Sequence, residues 1–344
     1  MIGMISDRLV SIYMRFCLVI VYHSFGEDKL EIHLLEAKTG DAFIVDCGPS
    51  RFIIDGGTRG VSKTIQRMLR KNTSKLLKGI FISHVDRDHV GGIVKLFEHH
   101  HELIPKNVPI YMNYPNIVPV KKNDTGLVSY QDGNDLKSLL DSFGYVTTEL
   151  TSKQVLTFND VEINVLTPDY IIHNSLMLAW EEHDEGLVTG SIIDVDFAMD
   201  LREPKNSSSN DIVNASSISF ILSHQGKRAL FLSDSLPEHI NESLSSKQRF
   251  DVVKVSHHGS KHNTSMAALS KIYCNNFIIS TNGPSHYGHP HAETIVRIIH
   301  ACISHGYEEC YIHFNYQKVC DRVKIRNLPS SIKVHLTHTK TLSI

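Results

Sequence analysis

The stretch "FISHVDRDHVGG", residues 81–92, places four side chains that can bind a metal ion within six residues. They are His84, Asp86, Asp88 and His89. The apolar run "GIFIS" comes directly before them and is typical of a buried β-strand, whereas "GGIVKLFEHH" has the pattern of a helix. Imidazole and carboxylate groups are common ligands of zinc and manganese in proteins. The stretch therefore predicts a metal site at the end of a strand.

The composition is that of an ordinary globular chain. Its 344 residues are 41% hydrophobic and 21% charged, which is enough to bury a sizeable core. The net charge is -2 and the sequence pI is about 6.9, so no global field attracts nucleic acid, and a polyanion would need a local patch. The six cysteines show no CxxC spacing and predict buried thiols in a reducing compartment.

Residues 1–28 are predicted to be an N-terminal extension, and residues 29–344 a single domain with an insertion at about 169–214. The apolar run that follows Arg15 is too short to cross a bilayer, and no small-residue cleavage site follows it. An extra strand or a non-essential extension is favoured over a signal peptide. We expect a cytoplasmic protein without membrane contact.

From residue 30 onward, strand patterns and helix patterns follow each other in two successive groups. This order predicts an α/β fold of the αββα sandwich type, with two packed mixed sheets and helices on the outer faces. The segment "NDLKSLLDSFG" predicts a helix that begins at Asn134 as N-cap and stops at Gly144. A second helical pattern covers "SMAALSKIY", and "SSISFILS" with "RALFLSD" predicts a hairpin.

Four further motifs place possible metal ligands directly after predicted strands. Loops at the ends of strands in a rigid sheet can direct such side chains to one point. The motifs therefore predict a shared site with the first stretch. They are "IIDGG" with Asp55, "FLSD" with Asp234, "KVSHHGSKH" with His257, His258 and His262, and "SHYGHPHAE" with His286, His289 and His291.

These motifs resemble those of the metallo-β-lactamase fold family, whose second motif is HxHxDH. Asp86 stands here at the second histidine position. The closest resemblance is to the hydrolase domain of ComEC-type DNA-uptake competence proteins and their stand-alone relatives, which carry HxDxDH. The GD turn of that group is matched at residues 40–41, its "HHGSK" at 257–261 and its "YGHPH" at 287–291.

The resemblance implies two divalent metal ions, Zn²⁺ or Mn²⁺, as cofactors. His84 and Asp86 would bind the first ion, and Asp234 would bridge both. The second ion would be bound by Asp88, His89 and His258, and His257 would contact the substrate phosphate. The roles of His257 and His258 could be reversed.

Other residues are assigned supporting or catalytic roles by the same resemblance. Asp55 would hold the ligand loop in place without binding metal. The usual third-motif histidine has no obvious counterpart, because His224 falls in a hairpin turn and Asn214 stands near the expected place. The candidate catalytic residues are Asp88, His257, Lys261 and His291, and the candidate substrate-binding residues are Ser260 and His289. His291 could protonate the leaving oxygen or orient the phosphate, and a structural role is the alternative for each of the groups around the ligands.

A carboxylate in place of an imidazole makes the site harder and more negative. Such a site binds manganese better than a site with only nitrogen ligands does. Two metals can supply a hydroxide for an in-line displacement at phosphorus. We therefore expect a nuclease or phosphodiesterase that cleaves DNA or RNA. The resemblance to the stand-alone relatives implies a setting in anti-phage defence, with protein partners in a defence complex. Two alternatives stay open: a hydrolase of small phosphate esters or nucleotides, and a non-catalytic metal-binding component of a multi-protein complex.

Basic residues also cluster around the predicted helix that precedes the metal strand. Such a cluster is most often a solvated face, and contact with nucleic acid is the alternative interpretation. The residues are Arg67, Arg70, Lys71, Lys75 and Lys78, with Lys121 and Lys122 in a later polar loop.

Overall fold

The computed structural model describes residues 29–114, 130–179, 193–199, 201–204, 212–284 and 288–344. The predicted extension 1–28, the two loop lysines and His286 lie outside these described residues. Everything that follows concerns the described part of the chain.

The first sheet has seven strands in the order β19-β1-β2-β3-β4-β5-β6. Strands β19 to β3 pair antiparallel, whereas β3 to β6 pair parallel. The strands are β1 (Leu30–Leu34), β2 (Phe43–Cys47), β3 (Ser50–Ile54), β4 (Leu76–Ile82), β5 (Ile110–Met112), β6 (Thr147–Thr148) and β19 (Thr341–Ser343).

The second sheet has eight strands in the order β18-β16-β15-β13-β11-β10-β8-β7. The run from β11 to β18 is parallel, and the other pairs are antiparallel, including the predicted hairpin of β10 and β11. The strands are β7 (Val155–Phe158), β8 (Val161–Thr167), β10 (Ser219–His224), β11 (Lys227–Phe231), β13 (Val252–Lys254), β15 (Asn276–Ile279), β16 (Glu309–Phe314) and β18 (Lys333–His338).

Two short strand pairs and a set of helices complete the described elements. The pairs join β9 (Ile193–Asp196) to β17 (Val323–Arg326), and β12 (Gln248–Arg249) to β14 (Ile272–Tyr273). The helices are α1 (Ser62–Lys71), α2 (Arg87–His100), α3 (Tyr130–Ser142), α4 (Tyr170–Ala179), α5 (Ile212–Ala215), α6 (Pro237–Ser243), α7 (Met266–Leu269), α8 (Ala292–Ser304) and α9 (Gln317–Arg322).

Alternating side chains along the strands create the layers of the fold. In β2, Phe43 and Val45 pack toward the second sheet, whereas Ile44 packs with the helices that cover the first sheet. Aromatic rings join the two sheets: the ring centroids of Phe81 and Phe220 lie 5.1 Å apart. Further apolar clusters lie between each sheet and its helices. The predicted αββα sandwich is therefore confirmed.

Several local predictions differ from the structure. Helix α3 begins at Tyr130, so the prediction that Asn134 is its N-cap is wrong, while Gly144 follows the helix end with a φ of +71°. The helix predicted in "SMAALSKIY" has only one turn, because the residues after it form β14 and pair with β12. The predicted insertion includes α4, β9 and α5 and so contains regular structure.

No helix in the described part of the chain is long and apolar enough to cross a membrane.

Candidate metal centre

The carboxylate of Asp234 lies at the centre of the site. It follows β11, is 2% exposed, and its Oδ2 atom faces four imidazoles. The Nε2 atoms of His258 and His89 lie 3.2 and 3.3 Å from it, and those of His257 and His84 lie 3.8 and 4.0 Å away. Residues 84 and 234 come from the two different sheets. The site is therefore built where the strand ends of both sheets meet.

His89 is held by Asp55, which lies at the end of β3. Asp55 accepts hydrogen bonds from the backbone N–H of Ser83 at 2.8 Å and from its hydroxyl at 2.6 Å. Its Oδ2 atom is also 2.9 Å from Nδ1 of His89. A carboxylate only accepts, so Nδ1 of His89 carries a hydrogen and Nε2 faces the centre. The structure thus places Asp55 where it orients the ring of a predicted ligand.

His258 is oriented in a similar way by backbone. Its Nδ1 donates to the carbonyl oxygen of Ser280 at 3.0 Å, which leaves Nε2 directed at Asp234 and 3.3 Å from Nε2 of His89. His257 and His258 have φ values of +43° and +55°. Two successive left-handed residues that are not glycine store backbone strain, which is characteristic of functional sites.

The first stretch supplies the remaining predicted ligands. Nε2 of His84 is 3.5 Å from Oδ2 of Asp86, and Oδ2 of Asp88 is 4.0 Å from Nε2 of His258. The side chains of Asp86 and Asp88 are 24% and 27% exposed, whereas the two histidines are buried. The carboxylates therefore form the solvent-facing side of the cluster.

Charge coupling inside the cluster is strong. Burial alone would lower the pKa of His89, but the carboxylates of Asp234 and Asp55 outweigh it and raise that pKa well above its usual value. Burial also lowers the pKa of His258, but the carboxylates of Asp234 and Asp41 outweigh it and raise this pKa to about 10. The reciprocal effect lowers the pKa of Asp234 despite its burial. The centre is thus a concentrated negative site that attracts cations.

Asp41 and Lys254 belong to the site but were not among the predicted site residues. Lys254 is 1% exposed, forms an ion pair with Asp41, donates to the carbonyl oxygen of Ser233 at 3.0 Å and lies 3.7 Å from Oδ1 of Asp234. Burial would raise the pKa of Asp41, but the charges of Lys254 and His258 lower it to about 2. A lone cation inside the apolar run "VVKVS" is the sequence signal that indicates such a buried pair.

Gly40 allows the Asp41 turn to approach the helix that carries Asp88. A Cβ atom on Gly40 would lie 1.7 Å from the backbone oxygen of Asp88. The GD turn is therefore a requirement of close packing between the turn and the start of α2.

Three histidines form a rim beside the cluster. His257 donates from Nδ1 to Oδ1 of Asn263 at 3.0 Å, and the amide nitrogen of Asn263 donates to the carbonyl oxygen of Asp234. The rings of His257 and His289 have centroids 5.3 Å apart, and those of His289 and His291 5.1 Å. Burial lowers the pKa of His289 well below its usual value and that of His291 to about 4. Both rings are therefore neutral at pH 7.

The other two predicted substrate groups are turned toward their own surroundings. The ammonium of Lys261 lies 3.0 Å from Oε1 of Glu293. The hydroxyl of Ser260 is buried and accepts from the backbone N–H of His262 at 3.2 Å. These contacts support the shape of the loop that carries His257 and His258.

The structure also locates the two candidates for the third motif. His224 lies at the end of β10 opposite to the site, where its Nδ1 is 3.2 Å from Asp160. Asn214 lies in α5, just before the strand, and the hydroxyl of Ser217 is 3.2 Å from Nδ1 of His84. His224 is thus outside the site, and a serine hydroxyl lies beside His84.

The donor atoms of the cluster fit a divalent metal. Within the described residues, Nε2 of His84, Oδ1 of Asp86 and Oδ1 of Asp234 are buried without a hydrogen-bond partner. Each such buried polar atom costs about 1–3 kcal/mol when it is left unsatisfied. A cation would satisfy them, and ligand atoms of Asp41, His89, Asp234 and His258 all lie within 4.8 Å of one another. Mixed imidazole and carboxylate donors suit zinc or manganese.

A comparison of the sequence with protein-family models found no match, and a search of curated proteins found none. Solved structures do match. The chain is similar to the metallo-β-lactamase fold protein YhfI from Bacillus subtilis, with 10% identity and a TM-score of 0.44 over 92% of this chain and 100% of that one. It is also similar to a diphosphatase of the PhnP family, with 12% identity and a TM-score of 0.45 over 92% and 97%. A protein described as a metal-dependent hydrolase from Parabacteroides distasonis matches with 11% identity and a TM-score of 0.38 over 88% and 94%.

The two mixed sheets and their outer helices form the αββα arrangement that the sequence predicted. The finer resemblance to ComEC-type hydrolase domains stays a prediction.

Proposed function

We propose that the chain is a metal-dependent phosphodiesterase that cleaves nucleic acid. The observation that carries this proposal is the convergence of four imidazoles on one carboxylate oxygen, Oδ2 of Asp234. Two divalent ions would be bound there, with Asp234 shared between them. The first would be held by His84 and Asp86, and the second by Asp88, His89 and His258.

When bound, such ions lower the pKa of water and stabilise negative charge on the attacking and leaving oxygens of a phosphodiester. The side chains around them supply orientation and proton transfer. Asp55 and the Ser280 carbonyl keep His89 and His258 in the tautomer that directs Nε2 inward. Asp88 is the most exposed carboxylate of the cluster, so it can accept a proton from water that enters the site.

The distances favour His258 over His257 as the ligand. His258 is buried and 3.2 Å from Asp234, whereas His257 is 25% exposed and 3.8 Å away. Since Nδ1 of His257 donates to Oδ1 of Asn263, the Nε2 atom that faces the centre carries a lone pair in the neutral ring, so it can accept a hydrogen bond from water at the site.

His291 is suited to orienting phosphate rather than to protonating a leaving group. Its Nδ1 accepts from the backbone N–H of Lys261 at 3.3 Å, so the neutral ring carries its hydrogen on Nε2. Because its pKa is lowered to about 4, very little imidazolium is present at pH 7. A neutral N–H donor on the rim can still bind an anionic oxygen.

The test is hydrolysis by the full-length chain, first stripped with EDTA and then supplied with Mn²⁺ or Zn²⁺. The substrates are bis-p-nitrophenyl phosphate and labelled single- and double-stranded DNA and RNA. We expect metal-dependent cleavage of at least one polymer, and a loss of about 100-fold or more in Asp234→Ala and His258→Ala. His262→Ala is the matched control, because this histidine lies in the same loop outside the proposed ligand set.

Metal-loaded protein that cleaves none of these substrates would reject the proposal. Cleavage of the small ester without cleavage of any polymer would favour the alternative of a small phosphate ester as substrate.

A further inference from the structure

A groove on the outer surface, between α1 and α2, is lined by an excess of positive charge. Its walls include Lys63, Arg67, Arg70 and Lys71 on α1 and Lys95 with His99 and His100 on α2. The motif-based interpretation left the α1 cations open between a solvated face and a nucleic-acid contact. The structure adds Lys95 and the two imidazoles, which come from the facing helix.

Spacing along α1 places three of these cations on one face. Lys63, Arg67 and Arg70 stand at positions i, i+4 and i+7 of the helix, so their side chains form a row. Ile65 lies on the opposite side and is buried in the core under the first sheet. The row is therefore fixed toward the groove by the burial of the other face of α1.

Most of this charge is not neutralised. The groove has five lysines and arginines. Within the described residues, only Arg70 of these five forms an ion pair with a carboxylate, that of Glu102 at 3.9 Å. The other nearby carboxylate, Glu98, is bound by Arg59. A concave surface with at least four unpaired permanent cations attracts a polyanion.

The groove and the metal centre lie at different positions along α2. Asp88, Lys95 and His99 are at positions i, i+7 and i+11, which lie on nearly the same side of this helix. The distance from Asp88 to Lys95 along the helix axis is about 10 Å at a rise of 1.5 Å per residue. Gly91 and Gly92 lie between them and pack against the backbone of residues 56–59. A strand that reaches from the centre to the groove would therefore cross over this turn, which carries Arg59.

We propose that the groove between α1 and α2 binds the phosphate backbone of a nucleic acid strand whose scissile bond lies at the metal centre. This inference rests on the proposed function for the position of the scissile bond, but not for the binding itself. Guanidinium groups match phosphate oxygens in a bidentate manner, and Arg67 and Arg70 supply two of them. A membrane surface fits less well, because a membrane-bound helix exposes large apolar side chains and none of the exposed large hydrophobic residues of the described chain lines the groove.

The experiment measures binding in EDTA, where no cleavage occurs, by fluorescence anisotropy with labelled single-stranded DNA, single-stranded RNA and duplex DNA. The test variant is Lys63→Gln/Arg67→Gln/Arg70→Gln. The matched control is Lys318→Gln/Lys324→Gln/Lys333→Gln, which removes the same charge from exposed positions of the C-terminal region. We expect the test variant to bind a single strand roughly tenfold more weakly or worse at physiological salt, and its slope of log affinity against log salt to fall by about 2. The control variant should retain both values.

Hydrolysis of bis-p-nitrophenyl phosphate with added metal separates this inference from the proposed function. We expect it to be unchanged in the test variant, because the groove residues are outside the centre. Equal affinity of test and control variants for every nucleic acid, or no binding by the wild type, would overturn the groove assignment. If polyglutamate displaces the labelled strand as well as unlabelled nucleic acid of the same total charge does, the groove assignment is overturned in favour of an acidic peptide. If none of the proteins hydrolyses the ester but the binding difference persists, the proposed function fails and the groove stands.

Discussion

Replacement of Asp55 by asparagine tests whether the buried carboxylate sets the metal affinity through His89. Asp55 is 1% exposed and accepts three hydrogen bonds, at 2.6, 2.8 and 2.9 Å. In Asp55→Asn, one oxygen can still accept from the backbone of Ser83, but an NH₂ group replaces the oxygen that faces Nδ1 of His89. The hydrogen on Nδ1 then has no acceptor, so the inward direction of Nε2 is no longer enforced.

Loss of such an outer partner of a ligating histidine costs about 10–100-fold in metal affinity, or about 1.4–2.8 kcal/mol. The affinity is measured by competition with a chromophoric chelator for Zn²⁺ and, separately, Mn²⁺. Asp321→Asn, at an exposed position in α9, is the control. Thermal unfolding in EDTA reports whether the fold itself has been weakened. An unchanged metal affinity in folded Asp55→Asn would refute the assigned role of this carboxylate.

Three further predictions concern a turn and two buried ion pairs. Gly40→Ala should lower the free energy of unfolding by about 1–3 kcal/mol, because the new methyl group meets a backbone oxygen of α2, and thermal unfolding measures the loss. Lys254→Met should cost about 3–5 kcal/mol in urea unfolding, since it removes the ammonium partner of buried Asp41 and leaves His258 at 3.4 Å, and the double variant with Asp41→Asn should recover most of it. Asp46→Asn removes a buried carboxylate that binds Arg51 through two contacts of 2.7 Å, and should cost about 3 kcal/mol at pH 7. Burial raises the pKa of Asp46, but Arg51 lowers it more, so this stability is present above the usual value of 3.8 and is lost in the wild type as the pH falls below it. The gap between Asp46→Asn and wild type should therefore close in acid, and a gap that is constant with pH would contradict the assignment.

The fold was predictable because its signals are local and repeated. Strand patterns in two groups predicted the two sheets, and along β1 and β8 buried side chains alternate with more exposed ones, which marks the buried face. Helix boundaries were less predictable. Asn134 has the chemistry of an N-cap, yet α3 begins four residues earlier. Capping preferences amount to about 1 kcal/mol, which tertiary packing readily overrides.

The candidate site also has a part that the sequence predicted and a part that it did not. Motifs at strand ends indicated the cluster around Asp234, because a ligand run such as residues 84–89 carries several donors in one place. The GD match marked Asp41 without a site role, and its pairing with Lys254 was not predicted, because the two residues are more than 200 positions apart. Residues 214–217 match the asparagine-serine entry to a strand in the ComEC-type group, but the contact of Ser217 with His84 was not predicted, because it exists only after the two sheets have packed.

The most direct test of the central claim is the metal content of the chain, purified without chelators and measured by elemental analysis. The account predicts a stoichiometric transition metal ion, with a second on dialysis against Zn²⁺ or Mn²⁺, and loss of most of this metal in Asp234→Ala. A wild type that holds no ion and takes up none, or an Asp234→Ala protein with unchanged metal content, would contradict it.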